Sequence, residues 1–293
     1  VFSLPRLRYF LAMATHIVES ETGWWEMATG APAAELRGLV GRYVGYREHS
    51  GVRMLQREVP TGFVGLILSF GPSIRVLDSG TSTELTSFVA AVSDRWACTQ
   101  YPGDQHGVQI DVTPVAAGMI LGTRMGEFGT QVVDLVEALG PPGRRLIEQL
   151  AERTRWAERF ALLDRFFIDR LGTAHQPSPA AAWAVRRIRA TRGRAGVAEL
   201  AAALHCSTRY LSEQVRTHVG VGPKQFARIV RARHAITLLD SGRLRLTEIA
   251  ERCGYTDQAH FGRDFLRITG CSPGTWCTEP FAESWTGSDL FYE

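Results

Sequence analysis

A pattern of two short helices joined by a tight turn occurs twice in the last third of this 293-residue chain. The first copy runs from Val197 to Phe226 (VAELAAALHCSTRYLSEQVRTHVGVGPKQF) and the second from Leu246 to Trp276 (LTEIAERCGYTDQAHFGRDFLRITGCSPGTW). Glu199 and Ala201 recur 49 positions later as Glu248 and Ala250. Ser207, Leu211, Val215, Gly220, Pro223 and Phe226 recur 50 positions later as Asp257, Phe261, Phe265, Gly270, Pro273 and Trp276. The one-residue slip falls in the turn, where an insertion costs least.

Leu200 and Leu204, then Leu211 and Val215, give each helix one apolar face, so the two close on each other across the turn. Ser207 and Asp257 are N-caps whose side-chain oxygens take amide donors that a first turn leaves free. Gly220 and Gly270 end the second helices, and Pro223 and Pro273 suit the first turn of the next. Such a pair exposes its second helix, the element that enters the major groove in DNA-binding proteins. The segment from Gly222 to Asp240 reads as a helix about 27 Å long at 1.5 Å per residue. Major grooves on one face of B-DNA lie about 34 Å apart, so one chain with two units so joined reaches two of them.

These residues resemble the DNA-binding domain of the AraC/XylS family of bacterial transcription regulators. The resemblance rests on the second unit with its Gly-x-x-Pro and following aromatic, and on the joining stretch GPKQFARIVRARHA. It covers about 95 residues of 293, and it implies binding to double-stranded promoter DNA. The charge agrees. Residues 181 to 276 hold 16 Lys and Arg against 7 Asp and Glu, and an acidic stretch follows; the first 180 residues hold 17 against 19. A basic domain attracts the phosphate backbone whatever its sequence.

On the second recognition helix Gln258, Ala259, Gly262 and Arg263 share one face with His260 beside them, while Phe261 and Phe265 point inward. Gln pairs with adenine and Arg with guanine in the major groove. The matching positions of the first helix are Thr208, Arg209, Ser212 and Glu213, with Arg209 the expected base contact and the capping Ser207 and Asp257 at the edge of each surface. Arg216, Arg228, Arg231 and Arg267 are placed for phosphates, which position a protein without specifying sequence. Ala259 and Gly262 are small where the family often carries polar groups, so base reading by the second unit rests on Gln258, His260 and Arg263.

Upstream, the apolar run Phe63 to Phe70, then Ile74 to Leu77 and the alternating Val108 to Thr113, read as strands; Val40 to Arg47, Arg53 to Glu58 and Ser87 to Val92 are weaker ones. The expected fold is α+β: a β-rich sandwich or jelly roll, similar in arrangement to the cupin-like domain that the AraC/XylS family places here, then helices, then an all-α DNA-binding domain. The expected divisions are a β-rich regulatory domain at 1–130, a helical connector at 131–171, a proline-containing linker at 172–180 and the DNA-binding domain at 181–293. A short helix at 131–139 and a long one at 144–171 are expected, the latter with Leu146, Leu150, Ala157, Phe160, Leu163, Phe167 and Leu171 along one side. That stripe suggests pairing of two copies.

A β domain of this kind usually encloses a pocket for a small effector, and Trp24, Trp25, Tyr43, Tyr46, Trp96, Tyr101 and His106 are the polar-tipped aromatics available to one. Packing in the core competes with that role for each. The His and Glu cluster of a metal cupin is missing, and Cys98, Cys206, Cys253, Cys271 and Cys277 form no CxxC pair, so no metal and no cofactor is expected. Cys206 and Cys253 sit ahead of the recognition helices; oxidation there is one reading, simple packing the plainer one. No 18-residue apolar run spans a membrane. The opening VFSLPRLRYFLAMATHIVESE has two Arg before a short apolar stretch, but His16 and Glu19 break a signal-peptide pattern, so it reads as an extension of a cytoplasmic protein. The resulting expectation is a non-enzymatic regulator with promoter DNA, a small effector, RNA polymerase and a second copy as partners. The alternative is a cupin-type enzyme or ligand-binding protein that carries a DNA-binding domain.

Overall fold

Short β-rich segments separated by Gly, Pro and Asp fill the first half of the chain, and a computed structural model describes them, with the helices that follow, over residues 14–20, 23–78, 80–174 and 176–278. The opening residues and the acidic stretch after Thr278 lie outside these. The strands before the first helix are β1 (Ala14–Ser20), β2 (Gly23–Gly30), β3 (Val40–Ser50), β4 (Met54–Glu58), β5 (Val64–Ser69), β6 (Ile74–Asp78), β7 (Thr81–Leu85), β8 (Phe88–Ala90), β9 (Ala97–Tyr101) and β10 (Asp104–Val112). Next come α1 (Pro114–Leu121), α2 (Met125–Phe128), β11 (Val132–Asp134), α3 (Leu135–Leu139), α4 (Pro141–Glu152) and α5 (Trp156–Thr173). The C-terminal helices are α6 (Pro179–Ala190), α7 (Val197–Ala203), α8 (Thr208–Val219), α9 (Pro223–Asp240), α10 (Leu246–Arg252), α11 (Gln258–Thr269) and α12 (Pro273–Thr278).

The strands form two antiparallel sheets, one in the order β1-β2-β3-β10-β5-β8-β11 and a smaller one in the order β4-β9-β6-β7. Residue alternation gives the large sheet two buried faces. One carries Ala28, Tyr43, Leu66, Val108 and Ile110 into a core shared with Phe160, Leu163 and Phe167 of α5. Gly30 and Gly45 lie on that face because a Cβ would stand 2.4 Å from the Phe160 ring and 2.3 Å from the Trp156 ring. The other face meets the small sheet, where Ile74, Val76, Phe88 and Tyr101 cluster.

The expected helix at 131–139 is β11 followed by α3, because Val132–Asp134 pairs with β8 and Asp134 then caps the helix by accepting from the amides of Val136 and Glu137. The long helix expected over 144–171 is broken into α4 and α5 at extended Arg153 and Arg155. Arg159, 3% exposed, joins the two by donating to the Leu150 carbonyl at 2.9 Å. Leu146, Leu150, Phe160, Leu163 and Phe167 are all buried within the chain's own core. The stripe that suggested pairing of two copies is therefore largely covered by the chain itself, with Ala157 exposed and Leu171 half-buried.

Strands β1, β2, β7 and β9 and helices α1 and α2 are additions to the expected elements. In α1, Pro114 to Ala117, Ile120 and Leu121 are buried, so no polar stripe marks it as a helix. It packs against α5, α6 and α8. One apolar core runs from the large sheet through α1 and α5 into Leu211 and Val215 of α8 and Phe226 and Val230 of α9. A second gathers Ala232, Ile236, Ile249, Phe261, Phe265 and Ile268 around the far end of α9, joined by Val59 from the β domain.

Candidate nucleic-acid interface and the β-domain cavity

The duplicated units close in the same way. In the first, the turn after α7 places His205 at φ +51°, and the Cys206 amide donates back to the Ala201 carbonyl at 3.0 Å. In the second, Gly254 takes φ +74°, and the Tyr255 amide donates to Ala250 at 2.9 Å. The left-handed residues are 49 apart and the caps 50 apart, so the slip is one extra residue between turn and cap. Ser207 accepts from the Tyr210 amide at 3.1 Å and Asp257 from the His260 amide at 2.7 Å. Left-handed Gly220 and Gly270 end the two recognition helices.

On α8, Leu211, Val215 and Val219 are buried, while Thr208, Arg209, Glu213 and Arg216 are exposed and Ser212 is half-buried. On α11, Phe261 and Phe265 are buried, Gln258, Ala259, Arg263 and Arg267 are exposed, and His260 and Gly262 are half-buried. Both helices thus carry an outward face with the residues expected there. Two apolar side chains on these helices escaped the sequence reading: Tyr210 is 47% exposed and Leu266 51% exposed. The signal was available, since Tyr210 matches His260 by the 50-residue spacing. Linker helix α9 has 18 residues, or about 27 Å.

The four arginines assigned to phosphates are not equivalent. Arg228 is half-buried and Arg216 exposed. Arg231 stacks its guanidinium 5.2 Å from the Tyr255 ring centre, so it fastens α9 to the second unit. Arg267 is held by Asp94 of the β domain at 2.9 Å. Asp94 also accepts from Gln225, at the start of α9, at 3.5 Å, so one buried carboxylate touches both the linker helix and the second recognition helix. Beside it Arg57 donates to the Thr269 carbonyl at 3.3 Å and lies over the Trp96 ring, which covers Gly270 so closely that a Cβ there would be 2.6 Å from it. On the first unit the contact is backbone on backbone, a Cβ at Gly126 of α2 lying 3.0 Å from the Arg216 carbonyl.

Between the two sheets lies a cavity of about 370 Å³. Of the seven aromatics considered for a ligand, Trp24, Trp25, Tyr46 and Tyr101 border it. Tyr43, Trp96 and His106 do not. Tyr43 points to the helical face, stacking on Phe160 and donating to Asp164 at 2.8 Å. His106 is on that face too, 2.9 Å from Arg159 and edge-on to Trp156 and Phe70. Burial, then Arg159 and Arg47, push its pKa down to about 4, so it is neutral packing. Trp96 belongs to the contact with the second unit. The strand pattern alone did not say which face of the large sheet a second sheet would cover.

The cavity wall Glu58 to Phe63 is also the seam with the DNA-binding region. Val59 enters the second unit's core, the Gly62 carbonyl accepts from Arg189 of α6 at 3.2 Å, and Arg189 lies 3.8 Å over the Phe63 ring. Asp111 lies on the cavity side of β10; burial raises its pKa while Arg42, Arg233 and Arg189 pull it down. Among the described residues no group of three or more His, Cys, Asp or Glu is arranged to hold a metal ion, and no helix is long and apolar enough to cross a membrane. Cys253 is buried and its thiol pushed up to about 11, chiefly by that burial. A reactive thiolate is disfavoured there.

Residues 200–279 match the family described as helix-turn-helix domain. Over 71 residues the chain is 39% identical to the HTH-type transcriptional activator RhaR of Escherichia coli (strain K12), covering 24% of this chain and 25% of that protein. The chain thus spans about a quarter of the length of the curated relatives it matches. Among solved structures it is similar to the C-terminal domain of AraT, a response regulator from Geobacillus stearothermophilus, with 26% identity over 41% of this chain and 100% of that one, TM-score 0.34. It is also similar to ToxT from Vibrio cholerae O395, with 12% identity over 77% and 96% of the two chains, TM-score 0.44.

Proposed function

We propose that the protein is a sequence-specific transcription regulator of the AraC/XylS type whose β domain responds to a small molecule; the match of residues 200–279 to the helix-turn-helix domain family supports the reading. The observation that carries this reading is the pair of matched recognition helices, each capped, ended and packed alike, with Arg209 and Arg263 outward. Arg209 and Arg263 read bases with Thr208, Gln258 and His260, and Ser207, Ser212, Glu213, Asp257, Ala259 and Gly262 complete the two surfaces. Arg216 and Arg228 take phosphates. Arg267 joins them when Asp94 lets go, while Arg231 serves mainly by holding the second unit in place. Tyr210 and Leu266 add apolar contact to the groove walls.

The effector sits in the cavity beside Trp24, Trp25, Tyr46 and Tyr101, and the seam from Glu58 to Phe63 carries its presence to α6 and α9. The regions 1–130, 131–171, 172–180 and 181–293 are proposed as regulatory domain, connector, linker and DNA-binding domain of a cytoplasmic protein, although α1 and α2 of the first already pack on α8. RNA polymerase at the promoter and a second copy of the chain belong to the same proposal. With the α4 and α5 stripe largely covered, the second copy docks elsewhere, and sedimentation equilibrium at micromolar protein reads the mass.

The test is to select binding sites from random duplexes and to compare Arg209→Ala and Arg263→Ala on selected and scrambled DNA. Each is expected to cost about 1 to 3 kcal/mol on the selected site and to relax one base position. Equal losses on both DNAs would contradict base reading.

A further inference from the structure

The cavity has a polar end built from adjacent strands. Glu48 of β3 is paired in register with Trp25 of β2 on one side and with Gln105 of β10 on the other. Gln105 is 4% exposed. Its amide nitrogen donates to the Pro72 carbonyl at 3.4 Å, which fixes the amide and leaves the opposite oxygen, Oε1, without a donor. Glu48 Oε1 is likewise buried without a donor, while the Tyr101 hydroxyl hydrogen-bonds the same carboxyl group. Two neighbouring cavity residues therefore each present a buried acceptor that is unfilled. A buried acceptor left so is costly, and more so when it belongs to a carboxylate.

The surrounding charges sharpen the requirement. Among the described residues bordering the cavity the basic ones are Arg47, His49 and Arg95. Arg47 is exposed and stacks on the Trp24 ring, His49 is exposed and bonded to Asp104 at 2.5 Å, and Arg95 is exposed. The acids bordering this end are otherwise occupied or distant: Glu58 accepts from Thr99 at 2.9 Å, and Asp111 is six residues along β10 beside Arg42. Burial raises the Glu48 carboxyl above its ordinary range, the cost that a positive guest would offset. Next to the two acceptors stand Trp25, Tyr46 and Tyr101, with Met27 and Phe88 further in. Aromatic faces attract cations and pack apolar carbon equally well.

We infer that the cavity takes an amphipathic organic cation, a protonated amine whose N–H groups fill Glu48 Oε1 and Gln105 Oε1 while its apolar body lies among the aromatic rings. This rests on the reading of the β domain as the effector domain. A ligand bearing a carboxylate would meet Glu48 as a like charge and supply no donor to Gln105.

Calorimetric titration of the full chain with matched pairs tests this: tryptamine against indolepropionate, and decylamine against decanoate. The amine of at least one pair binds at least about tenfold tighter than its acid, the ratio expected from one charge-assisted hydrogen bond. Glu48→Gln keeps the shape and removes that preference, Gln105→Met weakens the amine about threefold or more, and Glu84→Gln on exposed β7 changes neither. Carboxylates binding as well as amines, an unchanged preference in Glu48→Gln, or no binding of either amine at about 1 mM would each overturn the inference. The same preparations are assayed on selected DNA. A chain that binds its site but ignores amines loses only this inference, and one that takes amines but ignores DNA loses the regulator reading instead.

Discussion

The two helix-turn-helix units follow one sequence pattern, yet they are attached to the β domain in different ways. The first is continuous with it: Leu211, Val215 and Val219 share one core with Val64, Val108 and Phe167. The second has a core of its own, entered from the β domain by Val59, and is otherwise clasped through Asp94, Arg57 and Trp96. Apolar continuity holds regardless of salt, whereas a partly exposed ion pair is weak and screened. On the proposed reading, a signal from the cavity has one unit to move, the second, and one to move it against.

Separate cores should unfold separately. Phe261→Ala and Phe226→Ala each remove a fully buried ring and cost about 3 to 5 kcal/mol where they act. Phe261→Ala is expected to melt the second unit first, giving two thermal transitions and a footprint over one groove; Phe226→Ala lowers a single transition that includes the β domain. One shared transition in both variants would show that the cores are not separate.

A smaller effect sharpens the difference at the clasp. Asp94→Ala frees Arg267, so the salt dependence of DNA binding should steepen by about one counterion, with less than about 1 kcal/mol of stability lost because the Arg267 side chain is 46% exposed. An unchanged slope would mean that Arg267 faces no phosphate. The smallest expected effect is that of Arg228→Ala, which weakens selected and scrambled DNA alike and reduces the same slope by about one.

The helix-turn-helix units were legible because their signals are local. Caps Ser207 and Asp257, glycines 220 and 270, and the spacing of Leu211 and Val215 all act within a few residues of themselves, and the repeat confirmed each against its copy. Strands such as β5 and β10 were readable from apolar runs, but β2, with Trp24, Trp25 and Glu26 in succession, shows no alternation because both of its faces are covered. For the same reason Tyr43 and Tyr46 looked equivalent, although three positions along a strand put them on opposite faces. The clasp was out of reach, since Asp94 and Arg267 are 173 positions apart and nothing local to either names the other. Nor does a sequence show that Gln105 stands across from Glu48 with its amide fixed by Pro72.

Two linked units are expected to lie side by side on one duplex. Hydroxyl-radical footprinting of the full chain on a selected site tests it most directly. Two protected patches on one face, about one helical turn or 34 Å apart, with each patch lost separately in Arg209→Ala and Arg263→Ala, is the predicted result. A single patch that both variants weaken equally, or protection no different from that of scrambled DNA, would contradict it.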